Sequence, residues 1–189
     1  MADIVVVNKV DIAGPGDVEV VINNVQAVNP GARIVRAASP VTLERGPSLV
    51  GKRVLVIDDG PTITHGGMPY GAGTVAAREA GATTLVDPRP FAVGSIARTF
   101  ERFPAIGNVL PAMGYGAEQL RELEETINTT DCDAVVTGTP IDLTRLIDVR
   151  HPVRHATYVL ADHGEPMLAQ AIGPFVEAHR PRLLLPAGA

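Results

Sequence analysis

Arg53-Val54-Leu55-Val56-Ile57-Asp58-Asp59-Gly60-Pro61-Thr62-Ile63-Thr64-His65-Gly66-Gly67-Met68-Pro69-Tyr70-Gly71-Ala72-Gly73-Thr74 is the stretch that decides the fold. Its first five residues read as a strand, which ends on two carboxylates. A glycine-rich turn then leads into Thr74–Ala80, a helix closed by Gly81. The alternation continues downstream. Strands are predicted at Thr83–Val86, Ile106–Leu110, Ala134–Thr137 and Ala156–Leu160. Helices are predicted over 92–103, 117–128, 142–148 and 165–178. Helix 92–103 carries Val93, Ile96, Phe100 and Phe103 on one face, and helix 165–178 is expected to bury Leu168, Ala171, Ile172 and Phe175. Alternating β and α elements imply a doubly wound, mostly parallel, Rossmann-like α/β sheet over residues 46–180. Residues 41–52 read as a linker, and 181–189 as a loose Pro-rich tail.

Upstream lies a smaller β-α-β piece, residues 1–45. Ile4-Val5-Val6-Val7 runs into Asn8-Lys9-Val10-Asp11. A strand ending in Asn-Lys-x-Asp is how guanine-nucleotide P-loop proteins read their base. The carboxylate takes two hydrogens from the guanine edge, the Lys stem covers the ring, and the Asn amide ties the loop. A helix follows, with apolar positions 18, 21, 22, 25 and 28, stopped by Asn29-Pro30-Gly31. Arg33–Arg36 is the next strand, and it ends in Ala37-Ala38-Ser39-Pro40, a small-residue loop suited to approach a base. This element normally lies late in its domain, so the chain is expected to open partway into a nucleotide-binding unit, the last β-α-β piece of a P-loop NTPase domain.

Composition narrows the function. The 189 residues carry a net charge of -5, which argues against a general nucleic-acid binder. One cysteine, Cys132, excludes an intrachain disulfide framework. No apolar run is long enough to span a membrane and no signal peptide is visible, so a cytoplasmic location is expected.

In open parallel sheets ligands bind beyond the carboxyl ends of the strands. Those ends are polar and glycine-rich here. The turn after Asp58-Asp59 is not a Walker loop, because Gly73 stands where its Lys belongs, and it is not a clean G-x-G-x-x-G. Its glycines and the helix start at Thr74 nonetheless suit anion binding. Asp58 and Asp59 are the Mg²⁺ candidates. Neighbouring strand residues point opposite ways, so one of the two is expected to face a metal. Asp87-Pro88-Arg89-Pro90 holds an Arg between two prolines, suited to a phosphate or carboxylate. Pro111–Gly116 is a small-residue turn that could line the same crevice. Thr137-Gly138-Thr139-Pro140-Ile141-Asp142 offers hydroxyls, a glycine N–H and a capping Asp, with Arg145 one turn on. No His/Cys cluster has zinc spacing.

Taken together, Asp59–Thr62, His65–Met68, Tyr70–Thr74, Asp87–Pro90, Pro111–Gly116 and Gly138–Leu143 resemble the C-terminal half of the cyclic 2,3-diphosphoglycerate synthetase family, whose bacterial relatives are described as GTPases. The resemblance spans about residues 3–160 and is most specific in the long glycine loop. It implies a cytoplasmic ligase that uses ATP or GTP with Mg²⁺ to close a small phosphorylated acid into a phosphoanhydride. By resemblance, His65 and Arg89 are the catalytic candidates. Thr64, His65, Gly66, Gly67, Tyr70, Gly71, Gly73, Thr74 and Arg89 hold the 2,3-diphosphoglycerate-like substrate. Thr137, Gly138, Thr139, Asp142 and Arg145 complete that pocket. Asn8, Lys9, Asp11, Ala38 and Ser39 read the base. The phosphate-binding loop of the family is absent, so the chain alone is expected not to turn over NTP, and the NTPase half is expected in cis or in trans. Two alternatives stay open: a GTP-dependent regulatory protein, and a stand-alone anion-binding module. A homo-oligomer is compatible with each.

Overall fold

The computed structural model describes residues 1–65 and 69–179. The chain divides into two compact units. One is Met1–Pro40 with the described part of the segment from Val159, and the other is Val41–Tyr158.

In the first unit, strand β1 (Ile4–Val7) pairs in parallel with β2 (Arg33–Ala38), in the register Ile4↔Arg33 to Val7↔Arg36. Helix α1 (Pro15–Val28) joins them. Pro15 starts it at a position where a missing N–H costs nothing, and Asp17 lies in the first turn, where a carboxylate favours the helix dipole. Val18 and Ile22, one turn apart, are buried with Val7. The residues after Val159 join this sheet. Strand β9 (Ala161–Asp162) pairs antiparallel with β2, and helix α6 (Leu168–His179) packs over β1 and β2. Alternation along the sequence assigned this segment to the second sheet, yet it lies in register with Ala37 and Ala38, and the His163 N–H donates to the Arg36 carbonyl. Of the four residues expected inward on α6, Ala171 is buried, while Ile172 and Phe175 are exposed.

In the second unit, β3 (Val41–Leu43), β8 (Val153–Tyr158), β7 (Ala134–Gly138), β4 (Arg53–Asp59) and β5 (Thr84–Leu85) lie in that order. Strand β6 (Leu110–Ala112) also pairs with β4, along its carboxyl half, whereas β5 takes the amino half. All pairings are parallel except β3 with β8. Val54, Leu55, Val56 and Ile57 of β4 are wholly buried, as a central strand covered on both faces requires. Each contributes roughly 1.5–3 kcal/mol of burial. Helix α2 (Gly60–His65) occupies the start of the glycine-rich turn, and α3 (Ala72–Glu79) follows it. Helices α4 (Gly94–Arg102) and α5 (Ala117–Thr129) pack on each other. They bury Ile96, Phe100, Leu123 and Ile127.

The architecture is a Rossmann-like α/β fold, as the alternation implied. Three details differ. The expected linker contains edge strand β3. The expected helix 142–148 is a single 3-10 turn, Leu143–Arg145. The third strand starts at Leu110 rather than Ile106, because Ile106 to Val109 bends across the mouth of the sheet instead of pairing. No helix among the described residues is long and apolar enough to cross a membrane. The chain leaves β4 toward β5 on one side and leaves β7 toward β8 on the other. The carboxyl ends of β4 and β7 therefore form the switch point of the sheet, the position where open parallel sheets place their ligands.

Candidate functional site

Asp58, fully buried at the end of β4, organises the switch point. Its Oδ1 accepts the Gly73 N–H at 2.7 Å, and its Oδ2 accepts the Gly71 N–H at 2.8 Å. The Thr74 hydroxyl donates to Oδ2 at 3.0 Å and the Thr74 N–H at 3.4 Å. A carboxylate offers about four lone-pair sites; here Oδ2 is saturated by three donors and Oδ1 takes one bond. Burial pushes its pKa up, and the bonds from Gly73, Gly71 and Thr74 oppose that. The glycines are there for contact. A Cβ on Gly71 would lie 2.7 Å from the Asp58 carboxyl carbon, and one on Gly73 would lie 2.9 Å from Oδ1 and 3.0 Å from the Gly138 nitrogen. So the N–H groups at the start of α3, read as a phosphate cradle, already bind an anion, and it is the protein's own. By the same geometry Asp58 is buried and turned toward this loop, where it faces N–H and O–H donors.

Asp59, next along, is half-buried and, among the described residues, accepts a 3.4 Å contact from the Thr62 hydroxyl. Tyr115 stands near it. The Tyr115 hydroxyl is shut off from solvent and makes no well-aligned hydrogen bond; its neighbour Thr139 donates instead to the Ile141 carbonyl, at 2.8 Å. Burial first, then the charge of Asp59, pushes the Tyr115 pKa above the usual phenol range. Thr137 is also buried, its hydroxyl 2.8 Å from His155 Nδ1 on β8. Asp142 caps its 3-10 turn through the Thr144 N–H and hydroxyl and pairs with Arg145 Nε at 3.1 Å. The Thr144 hydroxyl, above all, holds the Asp142 pKa down. Among the described residues no group of three or more His, Cys, Asp and Glu side chains could hold a metal.

Arg89 is anchored rather than free. It donates to Asp87 Oδ1 through its N–H at 3.1 Å and its Nη1 at 2.8 Å, bonds the Ile106 carbonyl, and lies 5.0 Å over the Phe100 ring. Thr64 donates to the Gly60 carbonyl within α2. Gly66 and Gly67 lie outside the described residues, as does the His65 side chain.

Tyr70 and Thr74 line a cavity of about 560 Å³ that also takes in Arg78, Thr84, Leu85 and Asn108. The Gly107 N–H pins its rim to the Pro69 carbonyl at 3.1 Å, where a Cβ would intrude to 2.8 Å. Arg78 lies 5.4 Å over the Tyr70 ring. Sequence reasoning missed Arg78, and it took in Tyr115 only as part of the Pro111–Gly116 turn. For Arg78 a signal existed, since it lies one helical turn beyond Thr74 and shares its face.

In the first unit the base-reading candidates do come together. The Ser39 N–H donates to Asp11 Oδ1 at 3.1 Å, and the Ser39 hydroxyl donates to Asn8 Oδ1 at 3.1 Å. Asn8 Oδ1 also accepts the Lys9 N–H at 2.8 Å, and Lys9 itself has φ of 62°. Ala38 and Ser39 are buried, while Asn8, Lys9 and Asp11 are exposed. Asp11 Oδ2 and the Asn8 amide nitrogen point to no protein partner among the described residues.

No family model matches the chain. It is 47% identical over 171 residues to the protein named arginine synthetase ArcE from Thermococcus kodakarensis. The match takes in 90% of this chain and 38% of that protein, so the chain spans well under half the length of this curated relative. Similarity to a synthetase is therefore established over nearly the whole chain. The finer resemblance, to cyclic 2,3-diphosphoglycerate synthetase, is not carried by this match.

Proposed function

We propose that this chain forms part of an NTP-dependent synthetase, with its first unit reading a guanine base and its second holding a small acid. The observation that carries this is the 47% identity with a synthetase along 90% of the chain. The first unit supports it in detail. Ser39 fixes Asp11 and Asn8 while leaving one carboxylate oxygen and one amide donor unspent. A guanine edge presents adjacent N–H donors beside a carbonyl acceptor, which complements that pair. A Mg²⁺ ion bound in the second unit would draw on Asp59, the carboxylate at that unit's switch point, whose oxygens carry one long contact among the described residues.

The second unit favours an amino acid over a diphosphorylated acid. Two phosphates need several converging cations or free N–H groups. Here Arg89 is bound to Asp87 and Ile106, Arg145 to Asp142, and the α3 N–H groups to Asp58. The relative's name points the same way, toward arginine as product. Calorimetric titration of the chain with GTP, ATP, L-arginine and 2,3-diphosphoglycerate tests the proposal. Expected is binding of GTP over ATP, and of L-arginine over 2,3-diphosphoglycerate. Absence of binding by either nucleotide at millimolar concentration would overturn it.

A further inference from the structure

The cavity beside α3 has its own logic. At about 560 Å³ it lies within the ~300–1,000 Å³ range of small-molecule sites. Arg78 is the single charged side chain among its described lining residues. Its guanidinium rests on the Tyr70 ring and bonds no carboxylate among the described residues, whereas Arg36, Arg53, Arg89 and Arg145 each pair with one. Stacking on an aromatic face pre-orients the planar fork and leaves its N–H edge open for a bidentate acceptor. Asn108, which lines the same cavity, donates its amide nitrogen to the Leu85 carbonyl at 3.1 Å. That bond fixes which end of the amide is which and leaves Asn108 Oδ1, an acceptor, without a partner among the described residues. The cavity therefore presents one cation and one neutral acceptor on a partly apolar wall that includes Leu85 and Val109.

We infer that this cavity binds an α-amino acid, with Arg78 holding the carboxylate and Asn108 Oδ1 taking the ammonium. The choice of arginine as probe rests on the synthetase reading above. One guanidinium matches one carboxylate, and an acceptor in place of a second cation disfavours a phosphate. Tyr70 is a positioning residue that holds the Arg78 fork.

Calorimetry on the full chain with L-arginine, agmatine (arginine without its carboxylate) and 2,3-diphosphoglycerate tests this. L-Arginine is expected to bind at least tenfold more tightly than agmatine. Arg78→Gln should weaken L-arginine about tenfold to a hundredfold and leave agmatine unchanged, the range expected for a lost charge-assisted bond. Arg78→Lys should restore part of the loss. Tyr70→Leu should weaken L-arginine about two- to fivefold. Arg150→Gln, on an exposed loop, should change nothing. Equal binding of L-arginine and agmatine, indifference to Arg78→Gln, no binding of L-arginine, or tighter binding of 2,3-diphosphoglycerate would each overturn the inference. A parallel GTP titration of wild type and Asp11→Asn keeps the two ideas apart. Retained guanine selectivity with an indifferent Arg78 sinks the cavity alone, and the converse sinks the nucleotide reading alone.

Discussion

Asp58 ends one parallel strand and Asp11 stands just past another, and each accepts a backbone N–H from a small-residue loop, yet they differ in how far their oxygens are engaged. Asp58 is buried and takes four hydrogen bonds from Gly71, Gly73 and Thr74. Asp11 is exposed and takes one, from Ser39. The first carboxylate completes the protein's own structure, and the second is left able to meet a ligand. An acid at a strand end is thus a site candidate only to the extent that the chain leaves its oxygens unspent.

The sharpest way to break this contrast is to neutralise each acid in turn. Asp58→Asn swaps an acceptor oxygen for a donor facing N–H groups that are also donors. Leaving buried donors unpaired costs roughly 1–3 kcal/mol each, so a loss of about 3 kcal/mol or more is expected. Urea denaturation reads it. A loss under about 1 kcal/mol would mean that α3 is held by something else.

Gly73→Ala is the next largest effect. Alanine gains up to ~1 kcal/mol in a helix over glycine. Its Cβ would nonetheless press on Asp58 Oδ1, Gly138 N and Val56 Cγ1, all within 3.0 Å. Overpacking of this kind costs about 1–3 kcal/mol, so net destabilisation is expected. A stabilised Gly73→Ala would show that the switch point has room for a ligand group where the structure shows contact. Asp11→Asn should shift stability by no more than ~0.5 kcal/mol, since it changes an exposed side chain. The same variant should abolish the thermal stabilisation by GTP, which is about 2.7 kcal/mol at a hundredfold excess over Kd.

Much of this was legible in the sequence, for identifiable reasons. Strands β4 and β7 announce themselves because both are buried apolar runs. Strands β3 and β9 did not, because three and two residues carry no period and their partners are chosen in three dimensions. The Ser39–Asp11–Asn8 cluster was readable because its motif fixes residue types at short range. The close approach at the glycine loop after Asp58 was legible, but the Asp58 side chain that Gly71 and Gly73 approach was not. Glycine reports that a backbone comes close to something, but not whether that something is a ligand or a side chain of the same chain. Arg89 misled in a similar way, since its paired prolines set the backbone while Asp87 and Phe100 claim the guanidinium.

Glu122 lies between the two extremes and sharpens the comparison by pH. From α5 it accepts the Ser95 N–H at 2.9 Å, together with the Ser95 hydroxyl, and so caps α4 from a neighbouring helix. The Ser95 hydroxyl first, then its N–H, with help from Arg98 and Arg121, holds the carboxyl below its ordinary value of 4.5, against the pull of burial. A carboxyl whose pKa is lower in the folded than in the unfolded chain adds stability above the unfolded value, and loses it as pH falls through the folded one. Wild type should therefore be more stable than Glu122→Gln at pH 7. The gap between their urea midpoints should close as the pH drops below 4.5. A gap that stays constant with pH would mean that shape rather than charge caps α4. In that case Glu122 belongs with neither Asp58 nor Asp11, because its ionisation would be doing nothing for the fold.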